Sequence, residues 1–111
     1  MTDRPYCWRK VFEAALTLAS SDKPLQERLA SAYVHSLRSL TDSGEDFYGM
    51  TPEEQKRFRE IIRPFEEYDG PFDPNEGSAI AAARTLDDFY AHMIAEEIVV
   101  LFNSIAQRSD E

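Results

Sequence analysis

The C-terminal third of the chain carries a broad hydrophobic pattern: between Leu86 and Ala106, apolar residues at helical spacing cover most of a helix's circumference. A surface helix ordinarily shows an apolar stripe only about 100° wide. The broader pattern predicts a helix that other helices, or a second chain, cover on at least two sides. The pattern reaches back to Ala79, and a continuous helix over residues 79–106 would be about 42 Å long.

Two features bear on whether this helix is continuous. A compact domain of this size has a radius of gyration of only about 13 Å, so an unbroken helix would protrude or pack against a second chain. In addition, Thr85-Leu86-Asp87-Asp88 has the shape of a capping box, with an acid three residues after the Thr. A break near Thr85, which would leave residues 79–84 as a separate short helix, is therefore the alternative.

Amphipathic patterns predict three further helices, near residues 5–19, 24–40 and 52–63. Asp3 is a suitable N-cap for the first of them, and Pro5 falls in its first turn, where a missing N–H costs little. Because the connection between the first two helices is short, we expect them to form an antiparallel hairpin.

The third helix has the clearest start and a predicted early end. Thr51-Pro52-Glu53-Glu54 forms a capping box with proline at the first helical position. Pro64 should end or kink the helix near Ile62, because proline removes a backbone donor, although a short extra turn can follow. Together the four helices predict an all-α fold in one domain over residues 1–111, a compact four-helix bundle with a long central C-terminal helix.

The apolar and polar sides of the first two helices predict which of their side chains are buried and which are solvated. His35 lies on the polar side of the second helix, so we expect it to be solvated. Cys7 lies toward the edge of the apolar side of the first helix, and no basic triad or CxxC pair activates it, which predicts an inert thiol. The apolar side of the first helix comprises Cys7, Trp8, Val11, Phe12, Ala15, Leu16, Leu18 and Ala19.

Two segments are loops by composition, residues 41–50 and 69–78. The first contains Phe47, Tyr48 and Met50, which we expect to close over the core. The alternative is an apolar loop that binds a partner. The second contains several acids, which raises the question of calcium. A helix–loop–helix calcium site needs Gly at the sixth loop position and an acid at the twelfth, where this chain has Ser and Arg, so we expect no calcium.

Charge narrows the classes of partner. The chain carries a net charge of −9, of which residues 1–40 contribute +2 and residues 41–111 contribute −11. Direct binding to nucleic acid is disfavoured, because phosphate contacts need basic patches. We expect the acidity mainly to keep the protein soluble, and the alternative is a surface that meets a basic protein partner.

Several features favour a cytoplasmic location. The single cysteine excludes an intramolecular disulfide and suits a reducing compartment. The first ten residues contain no apolar stretch of the kind that a secretory signal needs. The longest strongly apolar run, Ile98–Phe102, is far shorter than the roughly 20 residues of a membrane span, so we expect no membrane association.

One row of polar residues on the last helix has the spacing of metal ligands. Asp88, His92 and Glu96 recur at every fourth residue, so a helix places them on one side. Helical di-iron sites also need a Glu-x-x-His pair on each of two helices, and the chain contains none. We therefore predict a solvated strip or an interface without metal. The chain also lacks a Gly-rich phosphate loop and a nucleophile motif, which predicts a protein that is not an enzyme, with no catalytic or cofactor-binding residues.

Glu97 is an acid on the apolar side of the last helix, between Tyr90, Met93 and Leu101. A carboxylate in that position must find a partner or take up a proton. We expect Glu97 to be at least partly buried and bound to a cationic or hydroxyl side chain.

Three functions remain open. The first is a non-enzymatic helical module for protein interaction or oligomerisation, homodimeric through the last helix, whose end should expose Ile98, Val99, Phe102 or Ile105. The second is an acidic protein that occupies a basic, nucleic-acid-binding site on a partner, which requires its carboxylates to gather on one face. The third is a metal-dependent helical enzyme, which requires His92 to point inward.

Overall fold

Helices are the only regular elements in the part of the chain that the computed structural model describes, residues 6–42 and 49–109. In chain order they are α1 (Tyr6–Ser20), α2 (Leu25–Ala32), a π-helical segment (Tyr33–Leu37), α3 (Ser39–Asp42), α4 (Pro52–Glu66), α5 (Ser78–Arg84) and α6 (Asp88–Ser109). The radius of gyration is 13.8 Å and the longest dimension is 44 Å. The predicted all-α class is therefore confirmed, whereas the predicted start of the first helix at Asp3 and Pro5 lies outside the described residues.

The first two helices form the predicted antiparallel hairpin. At one end of it, Arg28 Nη1 donates to the carbonyl oxygen of Leu18 over 2.8 Å. At the other end, the Tyr6 hydroxyl donates to Ser39 Oγ over 3.4 Å. The chain therefore runs back along α1 through α2, the π-helical segment and α3.

The π-helical segment lies within the helix that the sequence predicts over residues 24–40. The wider turn changes the register of the side chains, and Tyr33, Ser36 and Leu37 all lie buried. The Tyr33 ring stacks on Phe65 of α4, with the ring centroids 4.6 Å apart. The segment thus turns an aromatic ring of the hairpin onto α4.

α4 continues beyond its predicted end, and Pro64 lies inside the helix. Proline removes the hydrogen bond to the carbonyl of Glu60 and costs about 3 kcal/mol in a helix interior. Burial of Phe65, which follows Pro64 and stacks on Tyr33, offsets much of that cost. The predicted end near Ile62 is therefore wrong, and the alternative of a further turn after Pro64 is correct.

The helix that the sequence predicts over residues 79–106 is broken, so the single long helix is wrong and the alternative of a short separate α5 is correct. The cap, however, is not the predicted box at Thr85. Thr85 Oγ1 donates to the carbonyl oxygen of Ala82 over 2.6 Å and so closes the end of α5. Asp87 Oδ1 accepts from the Tyr90 N–H over 2.7 Å and caps α6, which has 22 residues and is about 33 Å long.

Replacing Asp87 tests this cap. We expect Asp87→Ala to lower the free energy of unfolding by about 1 kcal/mol, because it removes the acceptor for an N–H group in the first turn of α6. Thr85→Ala should cost less, since Thr85 is exposed and its hydroxyl does not cap a helix start. Urea denaturation followed by circular dichroism measures both. If Thr85→Ala lowered the free energy of unfolding more than Asp87→Ala does, Thr85 and not Asp87 would be the cap of α6.

α6 buries one narrow stripe, although its apolar residues cover most of its circumference. The stripe packs against α1, α4 and α2. Its members follow one another at alternating intervals of three and four residues, which is the spacing of a coiled-coil seam. They are Ala91, Ile94, Ile98, Leu101 and Ile105. Within one chain the other described helices therefore cover only this stripe, and several large apolar side chains of α6 remain exposed. Cover of those side chains by a second chain stays a prediction.

The capping box at the start of α4 is confirmed, and it also joins α4 to α6. Thr51 Oγ1 accepts from the Glu54 N–H over 3.1 Å, and Glu54 Oε1 accepts from the Thr51 N–H over 2.9 Å. The other carboxylate oxygen, Glu54 Oε2, accepts from the Ser104 hydroxyl over 2.6 Å. Glu54 is consequently buried, which the sequence did not predict.

Candidate interaction surfaces

An aromatic cluster joins the start of α1 to the end of α6. The rings of Trp8 and Phe12 are stacked, with centroids 5.2 Å apart. Phe102 tilts against both rings, at 5.8 Å from Trp8 and 5.6 Å from Phe12. Leu16 follows Phe12, and Val99 precedes Phe102, by about one helical turn. These five side chains form a strip that we call the α1/α6 face.

The α1/α6 face is exposed where the sequence predicts core. Leu16 and Val99 are 51% and 52% exposed, and Phe12 is exposed as well. Cys7, which the pattern places near the edge of the apolar side, is instead completely buried. α1 therefore turns Cys7 toward the core and Leu16 toward solvent, which corrects the predicted core.

An open groove of about 610 Å³ continues the α1/α6 face between α1, α2 and α6. Apolar side chains, among them Leu18, Leu25 and Ala95, form its walls, and Val99 belongs to both surfaces. Glu96 of α6 also lines the groove. A large apolar strip that opens into an apolar groove is typical of surfaces that bind other proteins.

Two of the four residues that the sequence predicts as dimer contacts on α6 are buried. Ile98 and Ile105 belong to the buried stripe, so they cannot touch a partner. Val99 is exposed, and Phe102 is half-buried in the aromatic cluster. The prediction is therefore wrong for Ile98 and Ile105, and the surface that surrounds Val99 and Phe102 includes side chains of α1 that the sequence assigns to the core.

Glu97 has the cationic partner that the sequence predicts. Its carboxylate is bound by the guanidinium of Arg57 on α4. The side chains of Arg57 and Glu97 are 39% and 42% exposed, and an ion pair in such a position contributes below about 1 kcal/mol to stability. The prediction for Glu97 is confirmed, and the pair bridges the seam between α4 and α6.

A second exposed surface follows that seam and the outer side of α6. A groove of about 140 Å³ between the two helices is lined by Glu60, Tyr90, Met93 and Glu97, among others. A neighbouring hollow of about 290 Å³ shares Glu60 and Glu97 with it. The surface, which we call the α4/α6 face, consists of Glu60 from α4 with Phe89, Tyr90, Met93, Glu96, Glu97 and Val100 from α6. The six residues from α6 occupy one arc of about 120° on that helix.

The predicted polar row on α6 is solvated. His92 Nε2 lies 4.0 Å from Glu96 Oε1, and the His92 side chain is 70% exposed. Asp88 Oδ1 accepts from Gln26 Nε2 over 2.9 Å. Within residues 6–42 and 49–109, no three His, Cys, Asp or Glu side chains are grouped so that they could hold a metal ion. The row therefore borders the apolar groove and does not face another set of candidate ligands.

The two other predictions from hydrophobic and polar spacing concern His35 and the first loop. His35 is exposed, as predicted. Met50 is buried, which confirms for this residue that the loop closes over the core. Phe47 and Tyr48 lie outside the described residues.

The second loop uses one of its acids to hold the end of α5. Both guanidinium nitrogens of Arg84, Nη1 and Nη2, donate to the carboxylate of Glu76 over 3.0 Å. This hydrogen-bonded pair raises the pKa of Arg84. Asp73 Oδ1 accepts from the Asn75 N–H over 2.9 Å, which forms a local turn. These acids therefore order the loop.

One described helix, over Asp88–Gln107, is long and apolar enough to cross a membrane by length and composition. A helix at the core of a soluble protein passes the same test. Here its buried stripe packs against α1 and α4, while Glu96 and Glu97 interrupt the outer side. The absence of membrane association stays a prediction.

Comparison with known proteins assigns no function. No protein family, curated protein or solved structure matches the chain. The α1/α6 face and the α4/α6 face are therefore the features from which a function can be inferred.

Proposed function

We propose that this chain is a non-enzymatic interaction module that forms a homodimer through the α1/α6 face. The observation that carries the proposal is the exposure of Phe12, Leu16 and Val99 around the half-buried rings of Trp8 and Phe102. Burying large apolar side chains stabilises a complex by roughly 25 cal/mol for each Å² removed from water. In this proposal α1, α2 with its π-helical continuation, α4 and α6 act as a four-helix bundle that supports the face.

The charges that border the α1/α6 face also suit a second copy of the same chain. α1 and α6 run in opposite directions, so Arg9 lies near one end of the face and Glu96 near the other. In a two-fold dimer each surface meets its own copy. An arrangement with the two faces reversed would bring Arg9 of one protomer toward the carboxylate of Glu96 on its partner. Such pairing would reduce the repulsion between two chains that each carry a net charge of −9.

The two alternatives have weaker support. A metal-dependent enzyme would need an inward-facing histidine, and His92 is exposed. An acidic decoy for a nucleic-acid-binding site would need closely and evenly spaced charge, because duplex DNA carries about one phosphate for each 1.7 Å of its axis. On the α4/α6 face the carboxylates alternate with exposed apolar side chains, and Glu97 is already bound to Arg57.

The oligomeric state tests the proposal. Sedimentation equilibrium at micromolar concentration should give twice the mass of the chain for the wild type. Leu16→Asp and Val99→Asp should each give a monomer, because a charge placed in the apolar interface loses its hydration without gaining a partner. Both side chains are about half exposed in the protomer, so circular dichroism should show an intact helical fold.

Phe72→Asp is the matched control, since Phe72 is 51% exposed and belongs to the loop after α4. It should leave the dimer unchanged. A specific dimer should bury at least about 1,000 Å² in total. A monomeric wild type would refute the dimer, and a dimer that survives both α1 and α6 substitutions would place the interface elsewhere.

A further inference from the structure

We propose that the α4/α6 face binds a basic amphipathic helix of a partner protein. This surface is centred on another side of α6 than the α1/α6 face, because Val99 and Val100 point about 100° apart, although Glu96, Glu97 and Val100 also line the groove beside the α1/α6 face. The two proposals share Glu96, so peptide binding is tested at Phe89 and Glu60, which the homodimer does not use. It rests on the combination of exposed apolar side chains and carboxylates along α6.

The apolar part of the face has the shape that an amphipathic helix needs. Phe89 is 75% exposed, and Met93 and Val100 follow it on the same side of α6. Tyr90 and Met93 also line the groove between α4 and α6. An amphipathic helix lays its apolar stripe on such a strip, and a methionine adapts its unbranched side chain to the incoming surface.

The acidic side chains of the α4/α6 face indicate a partner of positive charge. Glu60 and Glu97 line the groove between α4 and α6, and Glu96 lies at the other edge of the apolar strip, where it also lines the groove beside the α1/α6 face. α6 contains no Lys or Arg between residues 88 and 107. Arg57 of α4 already pairs with Glu97, and Lys56 lines the same hollow, so the charges of a partner would meet Glu60 and Glu96. Lysine or arginine side chains beside the apolar stripe of a partner would therefore meet complementary charge.

The same charges disfavour the other occupants of this face. A two-fold contact between copies would place the Glu60 and Glu96 carboxylates of both copies in one interface, and like charges across an interface cost binding energy. Nucleic acid and anionic lipid are repelled for the same reason. A cationic helical segment is the occupant that satisfies both the apolar and the acidic side chains.

A synthetic peptide pair provides the probe. One peptide is an 18-residue amphipathic helix with leucine on its apolar side and lysine on its polar side, and the other has glutamate in place of every lysine. Fluorescence anisotropy with the full chain should show binding of the lysine peptide and binding of the glutamate peptide at least about tenfold weaker. Raising the salt concentration from about 0.05 to 0.5 M should weaken the lysine complex severalfold, since salt screens exposed charges.

Paired variants locate the binding site. Phe89→Ser should lower the affinity for the lysine peptide about tenfold. Phe72→Ser changes another exposed phenylalanine and should leave that affinity unchanged. Glu60→Lys should weaken it about fivefold, and Glu66→Lys, the same charge change on a different side of α4, less than about twofold. Leu16→Asp should have no effect, because Leu16 belongs to the α1/α6 face.

Several results would overturn the proposal. Equal affinity for the two peptides would show that charge does not contribute to binding. Equal effects of Phe89→Ser and Phe72→Ser would show that the α4/α6 face is not the binding site. Loss of peptide binding in Leu16→Asp alone would move the site to the α1/α6 face. Binding of the chain to neutral lipid vesicles, lost in Phe89→Ser and without any peptide binding, would make the face a membrane surface and so contradict the proposal.

Discussion

Leu101→Ala should lower the free energy of unfolding by about 3–4 kcal/mol. Leu101 is 0% exposed and lies in the buried stripe of α6, which packs against α1 and α4. Truncation to alanine removes the buried methyl groups and leaves a cavity that rigid helices fill only in part. Urea denaturation at constant protein concentration measures the change, and the chain is small enough for a two-state analysis to apply.

The neighbouring residue provides the matched control. Val100 is 45% exposed on the outer side of α6, so Val100→Ala should cost less than about 1 kcal/mol. The comparison tests the rotation of α6, because the sequence gives both residues the same apolar character. Equal costs for the two substitutions would mean that the outer side of α6 is also packed, against another helix or a second chain.

The rotation of α6 cannot be predicted from its apolar spacing alone, because the exposed Phe89, Met93 and Val100 also recur at intervals that fit one side of a helix. Counting apolar residues around the helix predicts cover on most sides, since Phe89, Met93 and Val100 count as much as Ile98 and Leu101. The buried positions instead follow strict intervals of three and four residues. Such a narrow seam is what a helix buries when its neighbours contact it from one side only. The number and position of those neighbours is a tertiary property that one helix's pattern does not contain.

The local signals in the sequence were the most reliable. The capping box at Thr51, the exposed side of His35 and the need of Glu97 for a partner all depend on a few neighbouring residues, and each is confirmed. The pattern predicts Phe12 and Leu16 in the core because they share the apolar side of α1 with Val11. The packing of α1 against α6 and α2, with Cys7 and Val11 buried, determines that Leu16 faces solvent.

Proline and the loop before α6 show how tertiary contacts change local expectations. Pro64 is a helix breaker by its chemistry, yet burial of Phe65 against Tyr33 keeps α4 helical. The capping pattern at Thr85 predicts the break before α6 but not the residue that caps α6. Asp87 was selected because its side chain reaches the Tyr90 N–H, while Thr85 closes α5. The candidate surfaces depend on both features, since they set where α4 and α6 lie side by side.

Glu54→Ala should lower the free energy of unfolding by about 2–3 kcal/mol, although Glu54 looks in the sequence like an ordinary acid in the first turn of a helix. The substitution removes half of a capping box and also leaves the Ser104 hydroxyl, on α6, without its acceptor. Glu53→Ala is the control, because Glu53 is an exposed acid in the same turn and should cost less than about 0.5 kcal/mol.

A double-mutant cycle separates the two roles of Glu54. If the contact between helices matters, Glu54→Ala and Ser104→Ala should together cost about 1 kcal/mol less than the sum of their separate costs. Additive costs would mean that Glu54 acts only as a cap and that its hydrogen bond to Ser104 does not hold α4 against α6. In that case the groove between these helices would depend on apolar packing and on the pair of Arg57 with Glu97, and Arg57→Ala would be the substitution that loosens it.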